Sequence, residues 1–310
     1  MLIQILLFIL GIAILYAGGM VFIRGSSDTA RIFSIRPLII GVVVVAFATS
    51  APEFFVGVLA TIKKSQALAM GNIIGSCICN IGMVLGISAI TKPVRVESLL
   101  LRREIPILLI VTSLLFVFSI DLRISRMESC FLLICFAGFI LYCIKNAKKV
   151  HDNIDQVTGD KKSKALAFAF LVLGLTGLLG GAYIVVNSAV VLAKHLGISE
   201  LIIGLTIVAI GTSLPELFAS VSAAKQSEGD ISVGNVIGSN IFNILAIVGV
   251  MGIISPIAID PDILLLSFPV LLLYTIVLVP IIKTGYTISR REGLILLSGY
   301  FLYLWGVVKI

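Results

Sequence analysis

The chain has 310 residues, 59% of them hydrophobic and only 13% charged. One soluble core of this length cannot bury so much apolar surface, so a soluble enzyme or binding domain is excluded and the chain reads as an integral membrane protein. A net charge of +7 would suit a nucleic acid, but the placement of the basic residues gives it another cause.

Taken in chain order, apolar stretches long enough to cross about 30 Å of hydrocarbon recur between short polar connections. They predict ten helical spans, at 2–23, 37–62, 68–91, 104–120, 127–145, 165–194, 200–224, 231–257, 262–282 and 292–308. The first is not expected to be a cleaved signal: its apolar region is too long, and no Lys or Arg precedes it. With the N-terminus outside, most of the 23 Lys and Arg fall in cytoplasmic loops. Lys63, Lys64, Arg123, Arg126, Lys194 and Lys309 fall on the other side. The positive-inside rule therefore accounts for the basicity without a polyanion, and both termini are expected to be extracytoplasmic. The five cysteines, Cys77, Cys79, Cys130, Cys135 and Cys143, all lie within spans and are expected to be free, space-filling residues.

The chain contains an internal repeat. Gly41 to Glu53 (GVVVVAFATSAPE) matches Gly204 to Glu216 (GLTIVAIGTSLPE), and Gly71 to Ile81 (GNIIGSCICNI) matches Gly234 to Ile244 (GNVIGSNIFNI), both at an offset of 163 that still holds at Pro93 and Pro256. Each unit holds five spans, an odd number, so the second enters the membrane from the opposite side. Such inverted repeats, with a midplane site where broken helices meet, are the architecture of many secondary transporters. The expected organisation is a first five-helix repeat over 1–145, a polar cytoplasmic linker over 146–164 and an inverted second repeat over 165–310, with spans 2, 3, 7 and 8 broken. His151 lies in the linker and reads as a solvated loop residue.

Of sixteen acidic residues, only Glu53 and Glu216 fall deep inside spans. An acidic residue at a helix centre opposes insertion by roughly 2.5–3.5 kcal/mol, and intramembrane carboxylates are functional candidates. Pro52 and Pro215 precede them. Proline lacks an N–H and crowds the preceding turn, so the carbonyls of Ala48 or Gly211 lose their partners and those of Thr49 or Thr212 are displaced. Thr49 and Ser50 share a helix face with Glu53, as Thr212 and Ser213 do with Glu216. In the following spans Ser76 and Asn80, and Ser239 and Asn243, are four apart. Gly71 and Gly75, matched by Gly234 and Gly238, read as close-contact positions against the broken helices. Carboxylates, hydroxyls, amide oxygens and backbone carbonyls form an all-oxygen donor set. It suits hard cations, Ca2+ and Na+, and not zinc or copper.

The paired motifs AFATSAPE with GNIIGSCICN, and AIGTSLPE with GNVIGSNIFN, closely resemble the two alpha-repeats of the sodium/calcium exchanger family. The resemblance covers essentially the whole chain, in the form of a compact prokaryotic member whose linker is too short for a regulatory domain. It implies a Ca2+ site of Glu53 and Glu216 with the Thr49 and Thr212 carbonyls. Flanking Na+ sites would use Ser50, Ser76 and the Ala46 carbonyl on one side and Ser213, Ser239 and the Ala209 carbonyl on the other, with Asn80 and Asn243 completing the centre. It also implies that the first and sixth spans slide across the other eight, with Gly18, Gly19, Gly180 and Gly181 read either as points of mobility or as lipid-facing small residues. Ala48 stands where glycine is usual. Asn243 stands where some relatives carry aspartate, which argues against K+ co-transport.

The expected activity is Na+-driven Ca2+ exchange in the cell membrane by a chain functional as a monomer, with no cofactor. H+/Ca2+ exchange remains open, because burial favours the neutral carboxylate and so lets such a group carry protons. No catalytic activity is expected: the spans hold neither a serine with histidine nor two aspartates, and no Walker-type glycine loop is present. A channel is disfavoured, because two broken-helix pairs suit alternating access better than a continuous pore.

Overall fold

Long apolar helices dominate the computed structural model, which describes residues 1–147, 161–196 and 209–309. The helices are α1 (Leu2–Ile32), α2 (Pro37–Thr49), α3 (Ala51–Ile62), α4 (Gln66–Thr91), α5 (Glu104–Phe118), α6 (Arg126–Lys145), α7 (Lys161–His195), α8 (Ala209–Thr212), α9 (Leu214–Lys225), α10 (Gly229–Ile254), α11 (Ile263–Lys283) and α12 (Arg290–Lys309). Among the described residues six helices are long and apolar enough to cross a membrane, α1, α4, α6, α7, α10 and α11, and the bent pair α2 and α3 makes a seventh. The expected spans at 104–120 and 292–308 are represented by α5, 15 residues long, and by α12, which opens on three charged residues. The stretch 200–208 of the seventh expected span, and 148–160 of the linker, lie outside the described residues.

Two of the four expected helix breaks are present, at Ser50 and Ser213. The first bends α2 against α3 by 47°. Both serines leave the helical well, with ψ near 0°, and each is followed by a half-helix carrying proline in its first turn, where the missing N–H costs nothing. Spans 3 and 8 correct the expectation. α4 and α10 run unbroken, but each carries a wide π-helical turn, Asn80–Leu85 and Asn243–Ile247. Such turns add a residue without ending the helix and recur at functional sites.

The purely helical expectation also misses two small ribbons. The strands are β1 (Val94–Arg95), β2 (Arg123–Ile124), β3 (Ile257–Ala258) and β4 (Thr287–Ile288), and β1 pairs antiparallel with β4 and β2 with β3. Each ribbon joins the segment after α4 or α10 to a distant loop. Two-residue segments of this kind carry too little periodicity to be read from sequence.

α4 and α10 form the centre of the protein, buried over most of their length, whereas α1, α6 and α7 leave most of their surfaces exposed, as lipid-facing helices do. α1 and α7 lie against each other along a seam of glycines. A Cβ on Gly174 would sit 2.3 Å from the Phe22 nitrogen, and one on Gly18 would sit 2.8 Å from the Gly177 carbonyl carbon. Gly19 abuts Phe218 and Ser222 of α9, and Gly181 abuts Leu15. Three of the four glycines assigned to hinges or lipid are thus close helix contacts, the driving geometry of helix association in membranes. Gly180 alone of the four has no such neighbour among the described residues.

This seam carries a prediction. Gly174→Ala forces α1 and α7 apart and should cost about 1–3 kcal/mol by overpacking. Thermal unfolding in detergent checks it against Gly138→Ala, whose added methyl meets nothing within 4 Å among the described residues. Equal midpoints for the two variants would refute the seam.

The cysteines are all free. Cys77, Cys79 and Cys143 are buried, while Cys135 is half-buried and Cys130 exposed, so close-packed space-filling describes the first three only.

Candidate ion-binding site

The two breaks bring the glutamates together. Glu53 and Glu216 are both buried, in the first turns of α3 and α9. Hydroxyls cross between the repeats to reach them: Ser50 Oγ donates to Glu216 Oε1 at 2.9 Å, and Ser213 Oγ donates to Glu53 Oε1 at 3.4 Å. These bonds exchange under the 163-residue offset, since 50 maps to 213 and 53 to 216. The arrangement is a pseudo-twofold handshake.

The following helices close the ring. Ser76 Oγ donates to Glu53 Oε1 at 3.5 Å, while its counterpart Ser239 is buried with an unpartnered hydroxyl. Asn80 and Asn243 are buried where the π-helical turns begin. Thr49 is buried, its hydroxyl within 3.4 Å of the Ala46 carbonyl and 3.2 Å of Asn235 Oδ1. Thr212 is buried in the matching position and approaches the Glu53 carboxylate. Ala209 opens the α8 turn. The Ala46 carbonyl also accepts the Ser50 N–H at 3.0 Å.

Six polar atoms here are fully buried without a partner: Glu53 Oε2, Glu216 Oε2, Asn80 Oδ1, Ser239 Oγ and both amide atoms of Asn243. Buried polar groups are nearly always paired, because an unmade hydrogen bond costs about 1–3 kcal/mol. Most of the six are oxygens with lone pairs to offer, which is what a hard cation requires. Among the described residues no three of His, Cys, Asp and Glu converge on a metal site. Any ion held here would therefore be held by two carboxylates and neutral oxygens.

Three buried polar residues escaped the sequence reading. Asn235 Nδ2 donates to Ser220 Oγ at 2.9 Å and to the Glu216 carbonyl at 3.3 Å. Asn240 bonds to Asn80 and to the Cys77 carbonyl. Both asparagines stand in the repeat motifs, and Asn235 has a mate in Asn72, so the repeat was the available signal. Glu104 is buried beyond the site with both carboxylate oxygens unpartnered. It lies near Arg36, which pairs with Glu97 at 2.6 Å.

Gly234 and Gly238 touch α2 as expected: added Cβ atoms would sit 2.7 Å from the Leu38 oxygen and 2.3 Å from the Val42 oxygen. Gly71 and Gly75 have no comparable neighbour among the described residues. Their mirror-image partners would fall within 201–209, most of which lies outside them.

Comparison with known proteins identifies the family. The family model described as sodium/calcium exchanger protein matches residues 3–145 and 166–309. The chain is 30% identical to the sodium/calcium exchanger MaX1 of Methanosarcina acetivorans, over 97% of each chain. It is 35% identical to the inner membrane protein YrbG of Escherichia coli, over 98% of this chain and 96% of that one. Crystal structures of the sodium-calcium exchanger NCX_Mj superpose with a TM-score of 0.87 at 34% identity, covering 97% of each chain. With a family model spanning both copies of the glutamate-bearing motif and solved relatives sharing its backbone, the chain belongs to the sodium/calcium exchanger family.

Proposed function

We propose that the protein is a secondary antiporter that exchanges Na+ for Ca2+ across the cell membrane by alternating access, with Ca2+ extrusion its usual direction. The observation that carries this reading is the buried pair of glutamates, each bonded by a serine of the opposite repeat and each keeping one unpartnered oxygen. In this reading Glu53, Glu216 and the Thr49 and Thr212 carbonyls hold Ca2+. Ser50, Ser76 and the Ala46 carbonyl hold Na+ on one side, Ser213, Ser239 and the Ala209 carbonyl hold it on the other, and Asn80 and Asn243 complete the centre. Two carboxylates neutralise one divalent ion or are shared by monovalent ions, so occupancy by one species excludes the other. The relatives support it: MaX1 is named as a sodium/calcium exchanger, and NCX_Mj crystals were soaked with Na+ and Ca2+.

Ten spans in two inverted five-helix repeats, 1–145 and 165–310, joined by a cytoplasmic linker over 146–164, place both termini outside. The two stretches matched by one family model support that division. The glycine seam between α1 and α7, with its own hydrophobic cluster, supports these two helices sliding as one body over the rest. A single chain carries every proposed ligand, which supports function as a monomer.

Purified protein in sealed vesicles tests the counter-ion. An outward Na+ gradient at clamped pH should drive Ca2+ uptake, and replacing K+ with choline on both sides should leave the rate unchanged, because Asn243 supplies no third carboxylate. Uptake that ignores Na+ and follows a pH gradient would replace this reading with H+/Ca2+ exchange.

A further inference from the structure

The repeats match at the glutamates and serines but not one turn before the asparagines, where Asn240 faces Cys77 across the 163-residue offset. Asn240 is fully buried and bonded at both ends of its amide. Its Nδ2 donates to the Cys77 carbonyl at 3.1 Å. A backbone carbonyl only accepts, so this bond fixes which way the Asn240 amide faces. Its Oδ1 then faces Asn80 and must receive a donor, and Asn80 Nδ2 donates to it at 3.1 Å. With its nitrogen committed, Asn80 is left with Oδ1 buried and unpartnered. The orientation of one amide is thus passed from a main-chain carbonyl through a second amide.

At the mirror position Cys77 offers only a weak S–H donor and a weak sulfur acceptor. Asn243, the counterpart of Asn80, accordingly lies beside the Cys77 thiol with no hydrogen bond on either amide atom. We infer that Asn240 is a positioning residue that locks Asn80 with its oxygen toward the transported cation, leaving the site with one amide held by a second amide and one that is not. The inference rests on the ion site proposed above and goes beyond it by making that site functionally asymmetric. Without Asn240, the Asn80 N–H is free to turn into the site, where a donor competes with the cation for carboxylate oxygens.

The test measures KM and Vmax for Na+-driven Ca2+ uptake in vesicles. Asn240→Cys copies the residue that the other repeat carries. It should raise KM for Ca2+ about tenfold, the scale of losing one oriented polar contact from Asn80 to a charged ion, while Vmax stays within about twofold. Asn80→Ala has no amide to orient, so on that background Asn240→Cys should move KM by less than about twofold. A tenfold rise on both backgrounds would make Asn240 a packing residue and overturn the inference. If Asn80→Ala raises KM but Asn240→Cys does not, the inference fails while the ion site stands. If Asn80→Ala changes neither constant, Asn80 is no ligand, and the inference falls together with its place in the proposed site. Should Asn240→Cys not fold, Asn240→Ala read on both backgrounds decides the same question.

Discussion

Glu53→Gln and Glu216→Gln should each reduce Ca2+ transport by about a thousandfold or more while the protein still folds. A divalent cation here faces only two formal negative charges. A unit-charge pair 4 Å apart is worth about 4 kcal/mol at an effective dielectric of 20. The loss of one charge against a doubly charged ion therefore exceeds the roughly 4 kcal/mol that corresponds to three decades. Glutamine keeps the volume and one acceptor oxygen, so Ser50 and Ser213 retain something to donate to and the breaks at both serines persist. Folding should even become easier, because a buried anion costs more than a buried amide. Radiolabelled Ca2+ uptake together with thermal unfolding reads both effects. A glutamine variant that transports at half the normal rate would show that these carboxylates do not carry the ion.

Much of the site was legible in the sequence because membrane insertion makes polar residues costly. A Thr-Ser-x-Pro-Glu string inside an apolar span opposes insertion, so its presence twice, at a fixed offset, marked Glu53 and Glu216 with their neighbours before any coordinates. The helix breaks at Ser50 and Ser213 followed from proline chemistry in the same way. The continuous courses of α4 and α10 did not. A π-helical turn arises from how a helix packs against its neighbours, and Asn80 and Asn243 would look the same in an α-helix. Asn240 was hidden for a related reason: its role lies in a bond to a main-chain carbonyl 163 residues away, and no local pattern records such a pairing. The glycines at 18, 19 and 181 show the converse limit. Small residues in a span mark either a contact or a lipid-facing surface, and only the positions of α7 and α9 against α1 decide between them.

Gly238→Ala should lower transport by a far larger factor than one added methyl suggests. Its Cβ would lie 2.3 Å from the Val42 carbonyl oxygen, 2.6 Å from the Val42 Cα and 2.8 Å from the Ala46 Cβ. The first two atoms are backbone, and no rotamer can relieve them, so α2 must move away from α10 by about 1 Å to restore ordinary packing distance. α2 is the half-helix that ends at Thr49 and Ser50, and Ala46, itself in the clash, supplies one of the proposed Na+ ligands. A shift of that size at a site of fixed geometry costs on the order of a hundredfold in rate, whereas the stability loss from overpacking is only about 1–3 kcal/mol. Ca2+ uptake and the unfolding midpoint should therefore separate, with transport nearly lost in a protein that remains folded. Transport within about twofold of the unmodified protein, well short of the hundredfold expected, would mean that α2 and α10 do not hold the two halves of the site in register.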